Sequence, residues 1–441
     1  MEYDATNKII KIKKSMKTLI WLQLYFTAIF GCLRDIVGMP GAITYCLDIL
    51  LIMMTLYTFF KMRFLGKHSK VYYALLGMII LFFIITIIGF ILNGYSFLLY
   101  IWGFRITFRF YIFFFLCAIY FEAEDLKKMM AFIKHLFYLN VIMATIEFLL
   151  GFRGDYIGGT FGVQSGGNGD LNTLMIIITS VVVVQYLSKN IKIIELGIII
   201  FGCLYLMAIA ELKVYVFELP FIFVVAMLNE RFTLRKVGVI GLVIVGLGIG
   251  IAMLGYFFPN SGFDFFTSDA INQYMGNDGY TGQGDFSRFN AVIRSKELFF
   301  DNDFILLLFG LGLGNCSYSG FSFLTSEFYN LFQNLHYQWF TDSMIFLETG
   351  WLGLIIFEAF FISLFLVSIR YRKKFKSNTI EYISVKYVTI LSLCCIILSI
   401  YNISLKMEIA YLLYAFMAAI LVAVKELNIN NSLNSQFYKE Q

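Results

Sequence analysis

Apolar runs long enough to cross a bilayer follow one another along most of this chain, parted by short polar links. They lie near 18–33, 43–60, 71–92, 97–120, 130–150, 171–187, 193–210, 213–229, 237–257, 344–369, 386–403 and 407–424. Each run is apolar on every face and none alternates, so the pattern predicts membrane-spanning α-helices rather than a transmembrane β-barrel. The reading is an all-α polytopic membrane protein of about 12 transmembrane helices. The rhythm fails once, between Phe258 and Ser343, where polar residues dominate. The chain divides accordingly into an N-terminal bundle over 1–257, a large extracytoplasmic loop over 258–343, C-terminal transmembrane helices over 344–426 and a cytoplasmic tail over 427–441.

Composition sharpens this picture. Hydrophobic residues make up 60% and charged residues 14%, where a soluble protein carries about 25% charge. The net charge of +5 names no partner, and nucleic acid is not implied, because most cations sit in alternate links between the runs. Lys8, Lys11, Lys13, Lys14, Lys17, then Lys61, Arg63, Lys67, Lys70, then Lys127 and Lys128 fall on one side. Lys189, Lys192, Arg231, Arg235, Lys236 and the cluster from Arg370 to Lys376 follow on that side. By the positive-inside rule both termini are cytoplasmic and the long insert is outside. The first lysines precede an apolar run with no small-residue cleavage site, which reads as a retained signal anchor. The cysteines show no metal-ligand spacing.

The insert reads in parts. Asn260–Gly284 is polar loop; Ser287–Phe300 has apolar residues at helical spacing behind a Ser287 cap, a helix for the outer membrane surface. Phe304–Gly314 is apolar and ends in glycines, as a re-entrant or buried segment would. Ser326 to Phe340 forms a second amphipathic helix with Phe328, Leu331, Phe332, Leu335 and Trp339 on one face. The glycine-rich link Gly151–Asp170 can present backbone N–H groups to an anion; as a simple flexible turn it has an equally ordinary reading.

Charges inside apolar runs are the sharpest point signals. Phe110 to Phe121 is too short to cross the membrane, so the fourth helix must include Arg105 and Arg109, which share one face. Each costs about 2.5–3.5 kcal/mol at mid-membrane. They face a polar cavity or substrate, pair with Glu147 or Glu211, or snorkel outward. Arginines are scarce on the outer side, and Arg105, Arg109, Arg153 and Arg288 can converge on one anion, since arginine binds phosphate bidentately. Arg34, Lys213 and Arg294 are further outer cations. His336, the one histidine of the outer side, is the candidate general base, and Asp342 competes with it.

Several stretches together resemble the O-antigen polymerase and ligase family, most closely the Wzy-type capsule or exopolysaccharide repeat-unit polymerases. They are Arg34-Asp35…Pro40…Tyr45…Asp48, Gly159-Thr160-Phe161-Gly162…Asn168, Glu211-Leu212-Lys213, Ser287-Arg288, the run ending Phe309-Gly310-Leu311-Gly312-Leu313-Gly314, and Glu348-Thr349-Gly350-Trp351-Leu352-Gly353. The resemblance implies a glycosyltransferase of the bacterial plasma membrane that works with inversion. It would move a growing glycan from a polyprenyl-diphosphate carrier to the next lipid-linked repeat unit, without metal or cofactor. Arg288 matches the family's outer-loop arginine. Polyprenyl-diphosphate-linked oligosaccharide would serve as donor and acceptor, in contact with membrane lipid, a chain-length regulator and a flippase. In ligases the histidine falls at about the position of Trp339, three residues from His336. A ligase, a flippase for the same lipid-linked unit and a solute transporter working through Asp48, Glu147 and Glu358 are the competing readings.

Overall fold

The computed structural model describes residues 2–61, 68–228, 234–258, 276, 279, 281 and 284–437. The loop expected over Asn260–Gly284 lies almost wholly outside them, as do Arg63, Lys67 and Arg231. The described residues are helical with no strand. The N-terminal bundle contains α1 Glu2–Val37, α2 Thr44–Lys61, α3 Lys70–Asn93, α4 Phe97–Tyr120 and α5 Ala123–Leu149. It continues with α6 Gly167–Leu187, α7 Ile193–Ile209, α8 Tyr215–Met227 and α9 Leu234–Phe257. Three short helices follow, α10 Ala291–Phe299, α11 Phe304–Phe309 and α12 Glu327–Phe332. The chain closes with α13 Thr341–Arg372, α14 Ile380–Tyr401, α15 Ala410–Met417 and α16 Ala419–Phe437.

Every predicted apolar run coincides with helix. Among the described residues ten helices are long and apolar enough to cross a membrane. The seventh and eighth runs form shorter helices, Ile193–Ile209 and Tyr215–Met227, the latter carrying Pro220. The last run breaks at Ala418, and its helix continues to Phe437 through most of the expected tail.

Burial sorts the helices into layers. In α6, 94% of the apolar window is buried inside the protein, against 22% in α9. Helix α6 therefore lies at the centre, packed on α5, α7, α8 and α14, while α2, α3 and α9 turn most of their surface outward. A central helix in lipid must satisfy its polar side chains internally. Thr179 Oγ1 meets Tyr215 Oη at 2.6 Å, and Asn172 Nδ2 donates to Glu218 Oε1 at 3.1 Å.

The expected re-entrant segment is shifted. Phe304 and Ile305 are exposed, and the buried stretch is Gly310–Ser317. It wedges between α3, α4 and α13, where close approach requires glycine. A methyl group at Gly103 of α4 would lie 2.3 Å from Gly314 N. In α13, Gly350 interrupts the helical backbone with φ 64° and abuts Leu308. Backbone bonds run from Leu311 N to Leu347 O at 2.7 Å and from Gly312 N to Glu348 O at 3.1 Å.

Two helical expectations in the insert are corrected. Residues 288–290 form a turn, so the first helix begins at Ala291 with Asn290 as its cap, and no side-chain cap bond is made. The second keeps its start, where Ser326 accepts from Tyr329 N, but α12 ends at Phe332. His336 then adopts φ 57°, a left-handed conformation that no helix can continue through.

Candidate functional site

The link at residues 402–409 between α14 and α15, irregular apart from a 3-10 turn at Ser404–Lys406, organises the polar interior. Thr341 donates to Asn402 O through both its N–H and its hydroxyl. Arg288 donates to the carbonyl of Tyr401 and lies over the Tyr401 ring. Ser404 donates to Gly169 O at 3.1 Å, at the start of α6. Lys406 reaches Glu348 at 3.2 Å, both side chains fully enclosed, and Ser317 donates to the other Glu348 oxygen at 2.6 Å. Glu408 accepts from Arg109 at 2.8 Å. One link thus touches the insert, α4, α6 and α13.

Of the two arginines of α4, Arg109 reaches this link through Glu408. Arg105 donates from Nε and Nη2 to Asp48 Oδ2, each at 2.7 Å. Its guanidinium lies against the rings of Tyr45 and Trp102, at 4.8 and 4.6 Å. Arg109 is buried between Asp48, 3.6 Å away, and Glu408. Their carboxylates are therefore Asp48 and Glu408, not Glu147 or Glu211 as the sequence offered. Two cations against two anions make a neutral cluster, the state that a low-dielectric interior demands. Asp48 was legible as an acid in an apolar run; Glu408 was overlooked, although it begins a run and the arginines needed an anion.

The other cations separate. Arg34 grips Asp35 at 2.7 Å and Gln164 at 2.9 Å. Arg153 donates to the carbonyls of Phe148 and Phe152 and covers the Phe148 ring. Lys213 pairs with Glu211 at 3.2 Å, and Arg294 with Glu297 at 3.4 Å. Arg105 and Arg109 meet on one carboxylate, whereas Arg153 and Arg288 each keep different partners. The glycine-rich link does present N–H groups to anions, but those anions are internal. Gly158 and Gly159 donate to Glu147 Oε2 at 3.1 and 2.8 Å, and Val163 donates to Asp35.

A second cluster forms where 285–288 lies beside 335–340. Phe286 N donates to Leu335 O at 2.9 Å, joining the two stretches. His336 Nδ1 lies 3.0 Å from Asp285 Oδ2, and its ring stacks on Trp339 at 3.8 Å, nearly parallel. Asp285 is buried and also accepts from the N–H and hydroxyl of Thr281. Burial works to raise the Asp285 carboxyl, but the bonds from His336 and Thr281 outweigh it and hold it below the usual carboxylate range. An ionised Asp285 fixes the imidazole with its proton on Nδ1, which leaves the Nε2 lone pair as the basic atom. Three residues from Asp285, Arg288 lies 5.8 Å from the centre of the Phe340 ring. Asp342 follows, buried in the first turn of α13 with Ser343 N donating to Oδ1 at 2.6 Å. The three candidate catalytic residues thus share one junction. Asp285 was missed, because no periodicity marks an acid in irregular backbone.

Fold and site define a polytopic, all-helical membrane protein with a histidine–carboxylate pair in its long insert. No protein-family model matches the chain, and no curated protein matches its sequence.

Proposed function

We propose that this protein is a polysaccharide polymerase of the bacterial plasma membrane, with both termini cytoplasmic and the 258–343 insert outside. It moves a growing glycan from a polyprenyl-diphosphate carrier onto the next lipid-linked repeat unit. The observation that carries the reading is the pairing of His336 with buried Asp285, three residues from Arg288. A membrane enzyme that joins sugars across a diphosphate leaving group needs a base for a hydroxyl and a fixed cation for the departing charge. In the proposed step the acceptor hydroxyl oxygen attacks the anomeric carbon, and its proton passes to His336 Nε2. The bond from that carbon to the diphosphate oxygen breaks, and the electron pair leaves with the diphosphate toward Arg288. Trp339 offers an apolar face for a sugar ring.

The role of Arg105 and Arg109 changes under this reading. Their charge is balanced by Asp48 and Glu408, so they bind diphosphate only where the lipid displaces a carboxylate. The same pairs favour a second reading, a transporter or flippase for the lipid-linked unit, because exchangeable ion pairs among membrane helices and their links suit alternating access. Purified protein supplied with lipid-linked repeat units separates the two. Ladder formation supports the polymerase; movement of intact units between leaflets with no ladder supports the flippase.

A further inference from the structure

A groove of about 720 Å³ runs between α1 and α5, on the face where both helices begin and far from the insert in sequence. Its chemistry is graded along the helices. Lys14 and Lys128 stand at the rim, exposed, and among the described residues neither has a carboxylate partner. Lys17 also lines it but is committed to Glu122 and Asp125, at 2.7 and 2.8 Å. Deeper lie Trp21, Tyr25 and Phe132, the last packed edge-on against both others. His135 lies two helical turns beyond Lys128 on the same stripe of α5.

Both stripes follow from spacing. Lys14, Lys17, Thr18, Trp21 and Tyr25 recur at helical intervals on α1, and Lys128, Ala131, Phe132 and His135 recur on α5. Thr18 and Ala131 also line the groove, and their small side chains leave the space between the two helices unfilled. From Lys14 to Tyr25 the groove descends about 16 Å along the axis, half the thickness of a bilayer. The same two helices also carry exposed apolar residues, Leu22 on α1 and Leu139 and Ile142 on α5. A soluble anion has no use for that aromatic floor, and an apolar chain alone has none for the lysines.

We propose that this groove binds one anionic glycerophospholipid of the leaflet on the N-terminal face. The phosphodiester meets Lys14 and Lys128, and the first part of an acyl chain lies along Trp21, Tyr25 and Phe132. Two cations near the surface give a preference for anionic over zwitterionic headgroups of about tenfold or more. The site does not depend on glycosyl transfer.

The test is native mass spectrometry of the full chain in detergent, titrated with dioleoyl phosphatidylglycerol or dioleoyl phosphatidylcholine. Wild type is expected to retain one phosphatidylglycerol about tenfold better than phosphatidylcholine. Lys14→Gln with Lys128→Gln removes that preference, and Ala131→Phe, which fills the groove, lowers retention of both lipids. Lys373→Gln with Lys376→Gln, exposed lysines elsewhere, leaves retention as in wild type. Equal retention of the two lipids by wild type overturns the proposal. So does retention of phosphatidylglycerol by both groove variants at the level of the control, or its complete displacement by millimolar glycerol phosphate, which would mark a headgroup pocket alone.

Discussion

The charged clusters around Arg109 and around His336 solve different problems. Around Arg109 the charges pair off: Asp48 of α2 and Glu408 of the 402–409 link face the two arginines of α4, and Arg109 itself is almost enclosed. Around His336 one side is answered and the other is not. Asp285 holds Nδ1, while the imidazole is about a quarter exposed beside Trp339. Buried ion pairs stabilise mainly by avoiding an uncompensated charge, whereas a base needs an open lone pair. The contrast teaches that arginine inside a membrane helix is not by itself a mark of anion binding.

The comparison breaks first at Arg109. Arg109→Ala leaves Glu408 and Asp48 short of a cation and should cost about 3–5 kcal/mol, read as loss of monodisperse folded protein in detergent. Arg109→Met combined with Glu408→Leu should recover most of that stability. If the recovered double variant still builds polymer, Arg109 is structural; if it folds and makes none, the arginine also serves the substrate. Next, His336→Ala should slow chain extension about 100-fold with melting temperature little changed, measured as ladder formation from lipid-linked units. Normal ladders from that variant would remove the base from the mechanism.

Asp285 sharpens the comparison through pH. Its folded pKa lies below the ordinary carboxylate value, so its contribution to stability is complete above about pH 4 and is lost as pH falls through the folded value. Wild type should therefore melt higher than Asp285→Asn near neutral pH, and the gap should close as acid is added. A gap that stays constant to pH 3 would deny the bond its charge. The smallest effect is expected at Arg34, part-exposed and paired with its neighbour. Arg34→Gln should cost no more than about 1 kcal/mol and leave chain extension intact.

Much of the architecture was legible because a span declares itself by length and uniform apolarity. The two arginines of α4 were legible as an anomaly, since an arginine in an apolar run is costly unless something relieves it. Their partners were not, because Asp48 and Glu408 lie more than fifty and about three hundred residues away along the chain, and apolar periodicity carries no pairing information. The insert was read least well. Phe328, Phe332, Leu335 and Trp339 keep helical spacing through a backbone that in fact breaks at His336. Phe328 and Phe332 pack on Phe299, and Phe328 on Tyr337, while Trp339 stacks on His336, so no continuous helix is needed to pack them. Asp285 had no pattern around it, and only three-dimensional proximity to His336 gives it meaning.

The enclosed pair of Glu348 and Lys406 also sets an order of events. Glu348 enters the bilayer with α13, well before the ribosome has delivered Lys406 at the far end of α14. During that interval the carboxylate has no counter-ion in the finished arrangement. Protein released early, without the last thirty-six residues, would keep that defect permanently. Quality-control proteases that survey unpaired charge in membranes would then find truncated chains by the one acid they never had the chance to neutralise.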